Sequence, residues 1–259
     1  MDDLAVRRVG NGPEIVLVHG GAGPGATWAG LEALAERWTL VPVYRRGFAP
    51  SPPVRGRHDF LVDAQDLGEV FRGLRPHVVA HSYGVLGTLL AAVADPGSVR
   101  SLTLIEPPLY FLAERDADVV RLKELGDMVL LEGLDSEPEA LREFLTLSGA
   151  PGVGAGPLPE AVTAAVRRAQ YARLPGEIRV DLEVLRAKGI PAMVASGAHQ
   201  PGIERICDEL AAALHAERVI APGAGHFVAA APGFGDQLER FLSGGDLSPT
   251  DTSDICRRV

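Results

Sequence analysis

The chain has 259 residues, 46% of them hydrophobic, with 34 Asp+Glu against 25 Lys+Arg and a formal net charge of −9. That length and apolar content suit one large core, while the acidic balance argues against nucleic acid, which needs a basic stripe. No apolar run reaches the ~18 residues that span a membrane, the acidic start Met1-Asp2-Asp3 is unlike a secretory leader, and Cys207 with Cys256 makes neither a disulfide framework nor a zinc site. These features predict a cytoplasmic protein with a small-molecule substrate, no nucleic acid or membrane partner, and a monomeric or homodimeric state.

In chain order, residues 3–9 and 14–18 flank an Asn11-Gly12-Pro13 turn and read as a strand pair. A glycine-rich stretch from His19 to Gly25 is unfit for helix, and a helix is expected over 28–36. A strand over 39–44, a Pro/Gly/Arg loop, and a helix over 59–74 with Asp59 as N-cap follow. Residues 77–80 read as a short buried strand, 83–93 as an apolar helix, and 99–105 as another strand ending at Glu106-Pro107-Pro108. The βα rhythm then stops for about 80 residues, which read as helices broken at Gly133, 149–159 and Pro175-Gly176. It resumes with strands over 190–196 and 218–221 and helices over 203–215 and 234–242, before an aperiodic tail from Gly244. Strands alternating with helices predict an α/β fold with a mostly parallel sheet covered on both faces. Four stretches are expected: a first core part, 1–107; a helical insertion, 108–188; a second core part, 189–243; and a disordered tail, 244–259.

Three loops carry chemistry. Val78-Val79-Ala80-His81-Ser82-Tyr83-Gly84 sets a serine between a buried strand and an apolar helix, with small residues two positions away on each side. A nucleophile on a strained strand-to-helix turn needs such neighbours because the backbone folds back on itself, and Ala80 stands where G-x-S-x-G has its first glycine. His19-Gly20-Gly21 ends an earlier strand, where glycines let backbone N–H groups approach a developing oxyanion. The expected donors are the amides of Gly21 and Tyr83. Gly225-His226-Phe227 follows the last strand, and His226 sits where a mobile imidazole could reach a nucleophile on another strand. His58, His77 and His215 read as surface residues and His19 as a brace for the oxyanion loop. His81 reads as packing beneath the Ser82 turn or lining the pocket, and Tyr110 as a residue type more often core than contact; with Phe227 they are the candidate substrate contacts. No metal-ligand spacing and no dinucleotide fingerprint appears, so neither metal nor cofactor is expected.

In this order the His19-Gly20-Gly21 loop, Arg45-Arg46-Gly47-Phe48, the Ser82 turn and Gly225-His226-Phe227 resemble the α/β-hydrolase fold superfamily over residues 14–243. The resemblance implies a serine hydrolase core with a helical cap over 108–188. Most members carry their acid in the loop after the strand ending here at Ser196-Gly197, yet Gln200 stands in its place, and a neutral amide cannot stabilise an imidazolium. Some members, notably haloalkane dehalogenases, carry the acid after the strand that here ends in Glu106, which makes Glu106 the expected third residue with Ser82 and His226. The reading is cleavage of a small, hydrophobic ester or related acyl bond. Its rivals are C–C bond hydrolysis or a cyclase/lyase on the same scaffold, and a ligand-binding relative with a vestigial site.

Overall fold

The computed structural model describes residues 4–54 and 56–244. The tail read at 244–259, Cys256 included, therefore lies outside the described residues from 245 on. Six strands are described, β1 (Glu14–Val18), β2 (Thr39–Val43), β3 (His77–His81), β4 (Ser101–Ile105), β5 (Ala192–Ser196) and β6 (Glu217–Ile220). They form one sheet in the order β2-β1-β3-β4-β5-β6, and every neighbouring pair is parallel. The helices are α1 (Pro24–Thr27), α2 (Phe60–Leu74), α3 (Gly84–Ala94), α4 (Ala117–Glu132), α5 (Pro138–Leu147), α6 (Glu160–Ala169), α7 (Leu182–Ala187), α8 (Pro201–Leu214) and α9 (Phe234–Leu242).

Strict alternation along the strands sends side chains to two separate cores. Val16, Val18, Val78, Ala80, Leu102, Leu104 and Val194 face α2, α3, α7 and α8. Ile15, Leu17, Val79, Ile105, Met193 and Ala195 face Trp28, Leu31, Leu34 and the apolar side of α9. Burial on both faces explains the near-continuous apolar runs. The chain passes from β1 outward to β2 and then returns to the other side of β1 for β3. That reversal makes the C-terminal ends of β1 and β3 a switch point, where open α/β sheets leave a crevice for ligands.

Between β4 and β5, α4, α5 and α6 close a small core of their own from Val129, Leu141, Leu145, Val162 and Val166. Val119 and Leu122 of α4, with Leu182 and Leu185 of α7, lie instead in the main core.

Two sequence expectations are corrected. Residues 4–9 do not pair with β1; they make antiparallel bridges from Val6 to Val43 and from Val9 to Leu40. Both edges of β1 are occupied by β2 and β3, so only the outer edge of β2 can receive the segment. In place of the helix expected over 28–36, α1 lies earlier, starting at Pro24 within the stretch read as unfit for helix, and only a 3-10 helix over Glu32–Glu36 follows. Gly30 interrupts the expected helix with φ +96°, because its backbone passes so near that of Ala229 that a Cβ would lie 2.8 Å from the carbonyl oxygen.

The helices α2 and α3 touch closely through Gly87, where a Cβ would stand 2.7 Å from that of Asp63. Gly87→Val is expected to force them apart and lower unfolding free energy by about 1–3 kcal/mol, read from the midpoint of a urea titration.

Candidate active site

Ser82 leaves β3 with φ +52°, a left-handed conformation costly for a side chain-bearing residue. The turn is fixed from three sides. The Ser82 amide donates to the carbonyl of Ile105 at 2.8 Å, and Gly20 and Gly84 supply the room. A Cβ at Gly20 would lie 2.8 Å from the Ser82 Cβ and 3.3 Å from its Oγ, and one at Gly84 would meet the Val18 carbonyl oxygen at 2.7 Å. The small neighbour two residues after Ser82 is thus required by the end of β1. The amides of Gly21 and Tyr83 donate to no acceptor among the described residues. A Cβ at Gly21 would meet nothing within 4 Å, so that position borders open space.

Glu106 leaves the neighbouring strand in the same way, with φ +53°. Its carboxylate is wholly buried. Oε1 accepts a hydrogen bond from the Gly197 amide at 2.8 Å, and Oε2 lies 3.2 Å from His226 Nδ1 and 3.7 Å from His199 Nε2. Gly197 packs directly on the Gly225 carbonyl, so only glycine lets the loop after β5 approach the loop that carries His226. Burial pushes the Glu106 carboxyl up to about 7, opposed by His199 and the Gly197 N–H. Burial also lowers His226 to about 3, with nearby His199 adding to it. The imidazole is therefore neutral; donating from Nδ1 to Glu106, it leaves Nε2 as its basic nitrogen.

His81, read as packing beneath the Ser82 turn or lining the pocket, is buried and supports His226. Its ring is 3% exposed and lies 4.5 Å from that of His226, and Nε2 donates to the His226 carbonyl at 2.8 Å. Tyr110, a candidate contact of a type more often core, is 5% exposed among Leu109, Val119 and Leu122, with its hydroxyl beside Gly126 of α4. Phe227 does stay at the site: it stacks on His81 at 5.7 Å and 19° and touches Gly149 from the helical insertion. His58, expected at the surface, is 7% exposed and fills the space left by Gly47.

Gln200 caps a helix. Its side-chain oxygen accepts from the Ile203 amide at 2.8 Å at the start of α8. The rest of that loop is held by Glu204, which accepts from Ser196 Oγ at 2.7 Å and from the Ala198 amide at 3.0 Å.

Sequence reading missed His199. Its Nε2 lies 2.9 Å from the carbonyl of Leu147 in α5, tying the insertion to the edge of the site. A histidine immediately before Gln200, in the loop where the acid was sought, was the available signal. Glu106, His199 and His226 bring one potential ligand atom each within 4.8 Å of one another. The contact of Glu106 with His226 is hydrogen-bonding, and His199 is engaged by the Leu147 carbonyl.

An α/β-hydrolase fold is what this parallel sheet, its switch-point serine and its strand-end acid and histidine define. The chain matches the Alpha/beta hydrolase family over residues 15–234 and belongs to it. It is 33% identical over 150 residues to a pimeloyl-[acyl-carrier protein] methyl ester esterase of Methylococcus capsulatus, a match covering 56% of each chain. The chain thus spans little more than half the length of that relative. It is 28% identical over 247 residues to a 2-(acetamidomethylene)succinate hydrolase of Mesorhizobium japonicum, covering 87% of this chain and 85% of the relative. The crystal structure of an alpha/beta hydrolase from Sphaerobacter thermophilus superposes with TM-score 0.67 at 24% identity, over 92% of this chain and 96% of that one. Among the described residues no helix is long and apolar enough to cross a membrane.

Gln200→Ala removes a helix cap and nothing else at the site. It is expected to cost about 1 kcal/mol of stability, measured by thermal or urea unfolding.

Proposed function

We propose that the protein is a serine hydrolase that cleaves a small, hydrophobic ester or related acyl bond through Ser82, His226 and Glu106, with the amides of Gly21 and Tyr83 as oxyanion donors. The observation that carries this reading is the contact at 3.2 Å between His226 Nδ1 and a wholly buried Glu106, at strand ends flanking a strained Ser82 turn. Ser82 Oγ attacks the carbonyl carbon while its proton passes to His226 Nε2. The N–H groups of Gly21 and Tyr83 stabilise the charge on the carbonyl oxygen. Glu106 stabilises the imidazolium, which then gives its proton to the leaving oxygen as the acyl–oxygen bond breaks. Water, deprotonated by the same imidazole, attacks the acyl-enzyme and releases the acid, restoring Ser82.

Supporting the substrate class are relatives that act, by their names, on a methyl ester and on an acetamidomethylene succinate. Phe227, with Gly149 of the insertion against its ring, offers an apolar surface beside His226. The helical segment over 108–188 acts as the cap, and the chemistry needs no metal or cofactor.

A fluorophosphonate probe should label Ser82 in the wild type and not in Ser82→Ala or His226→Ala. Folded protein that takes no label would point to a ligand-binding relative or to acid/base chemistry without an acyl-enzyme. With a p-nitrophenyl ester, Glu106→Gln should lose on the order of 10⁴-fold in kcat, the scale expected when the acid behind a catalytic histidine becomes an amide. Gln200→Ala should turn over like the wild type; the opposite pattern would move the acid away from Glu106.

Ionised Glu106 is the active form, and its carboxyl titrates near 7. kcat/KM should therefore rise with pH below about 7, flatten above it, and lose this limb in Glu106→Gln, as a pH–rate profile would show.

A further inference from the structure

Arg45, the first residue of the Arg45-Arg46 pair after β2, has a side chain only 2% exposed. Burying a guanidinium costs several kcal/mol unless its donors are met. Nε and Nη2 both donate to Asp63 Oδ2 of α2, at 3.0 and 2.6 Å. The remaining arm points at the loop after β1: Nη1 donates to the Gly20 carbonyl at 3.2 Å, with a longer contact to the His19 carbonyl at 3.5 Å.

A second donor meets the same oxygen. His19 Nε2 accepts from the Arg45 amide at 3.2 Å, which leaves Nδ1 as the protonated nitrogen, donating to the Gly20 carbonyl at 2.8 Å. Burial and the nearby guanidinium hold this imidazole neutral, lowered to about 3. The Gly20 carbonyl is thus pinned from the protein interior by two N–H groups.

The consequence follows from peptide geometry. Among the described residues the cis bond is Ala49–Pro50, so Gly20–Gly21 is trans. In a planar trans peptide the C=O and N–H point in opposite directions. Holding the Gly20 oxygen inward turns the Gly21 N–H outward, toward the side on which Gly21 borders open space. The same guanidinium lies 5.0 Å from the centre of the Tyr83 ring, so it meets both the Gly20 carbonyl of the Gly20–Gly21 peptide and the side chain of the second donor residue. A cationic donor on a carbonyl oxygen also polarises the peptide and strengthens its N–H as a donor.

We propose that Arg45, held by Asp63, is a positioning residue for acyl transfer: it clamps the Gly20–Gly21 peptide so that the Gly21 N–H faces the developing oxyanion. This rests on the serine hydrolase reading above. A purely structural ion pair would affect stability alone, whereas a clamp on the oxyanion donor acts on kcat.

The test uses Arg45→Met/Asp63→Leu, which removes both charges and leaves neither buried alone, with Arg45→Lys beside it. First, wild-type protein is treated with the fluorophosphonate probe. If Ser82 takes no label, the hydrolase reading falls and the clamp with it. If Ser82 is labelled, kcat and KM for a p-nitrophenyl ester are compared in protein shown by circular dichroism to be folded. The clamp predicts a fall in kcat of about 10–100-fold in the double variant, short of the 10²–10³ of a donor removed outright. KM should stay within about twofold, and the lysine should restore part of kcat by reaching the Gly20 carbonyl. If the double variant does not fold, the comparison is made on Arg45→Lys, with a smaller fall in kcat expected at unchanged KM. Unchanged kcat and labelling rate in a folded variant overturn the clamp while leaving the hydrolase reading intact.

Discussion

A carboxylate with no contact with water sits at the centre of this structure. Glu106 can be buried only because the Gly197 amide and His226 meet its two oxygens. Meeting them dictates much of the surrounding geometry. Gly197 must lack a side chain so that the β5 loop can press on Gly225, and that contact carries His226 to the carboxylate. His81 then holds the backbone of His226 from below. Burial leaves Glu106 reluctant to ionise and His226 reluctant to take a proton, so the neutral imidazole is the resting state. The pair is largely shielded from solvent, in surroundings where electrostatic interactions are stronger than in water.

The strain is placed alongside. Three neighbouring strands, β3, β4 and β5, are followed by residues in the left-handed region: Ser82 at φ +52°, Glu106 at +53° and Ala198 at +56°. Glu106 is doubly constrained, because Pro107 follows it and restricts its backbone further. Each such residue costs of order 1–3 kcal/mol. What offsets this is the sheet beneath, whose strands are buried on both faces. The scaffold is regular up to the last residue of each strand and departs from regularity where the chemistry begins.

Most of this was legible in the sequence because the strands are short, doubly buried and separated by glycine-rich turns. The order of the Ser82, Glu106 and His226 motifs carried the site with it. The failures have definite causes. Residues 4–9 look like a hairpin partner for β1, but pairing depends on which edges are free, a property of the whole sheet. Residues 28–36 have helical composition, and Gly30 breaks them for a contact with Ala229, some 200 residues away. Sequence position alone leaves His81 and Tyr110 between core and pocket; side-chain direction, which only the fold supplies, buries both. The roles of Arg45 and Arg46 were hidden in the same way. Their partners Asp63 and Asp66 lie three residues apart on one face of α2, and only the fold brings the two pairs together.

The loop after β5 is tied down along its length. Gln200 and Glu204 fasten it to α8, and His199 reaches across to the Leu147 carbonyl. The loop is thereby a strap between the end of β5 and α5, lying against the Glu106 carboxylate. A displacement of α5 that pulled on His199 would be felt 3.7 Å away at Glu106. One side chain thus links the inserted helices mechanically to the buried Glu106–His226 pair.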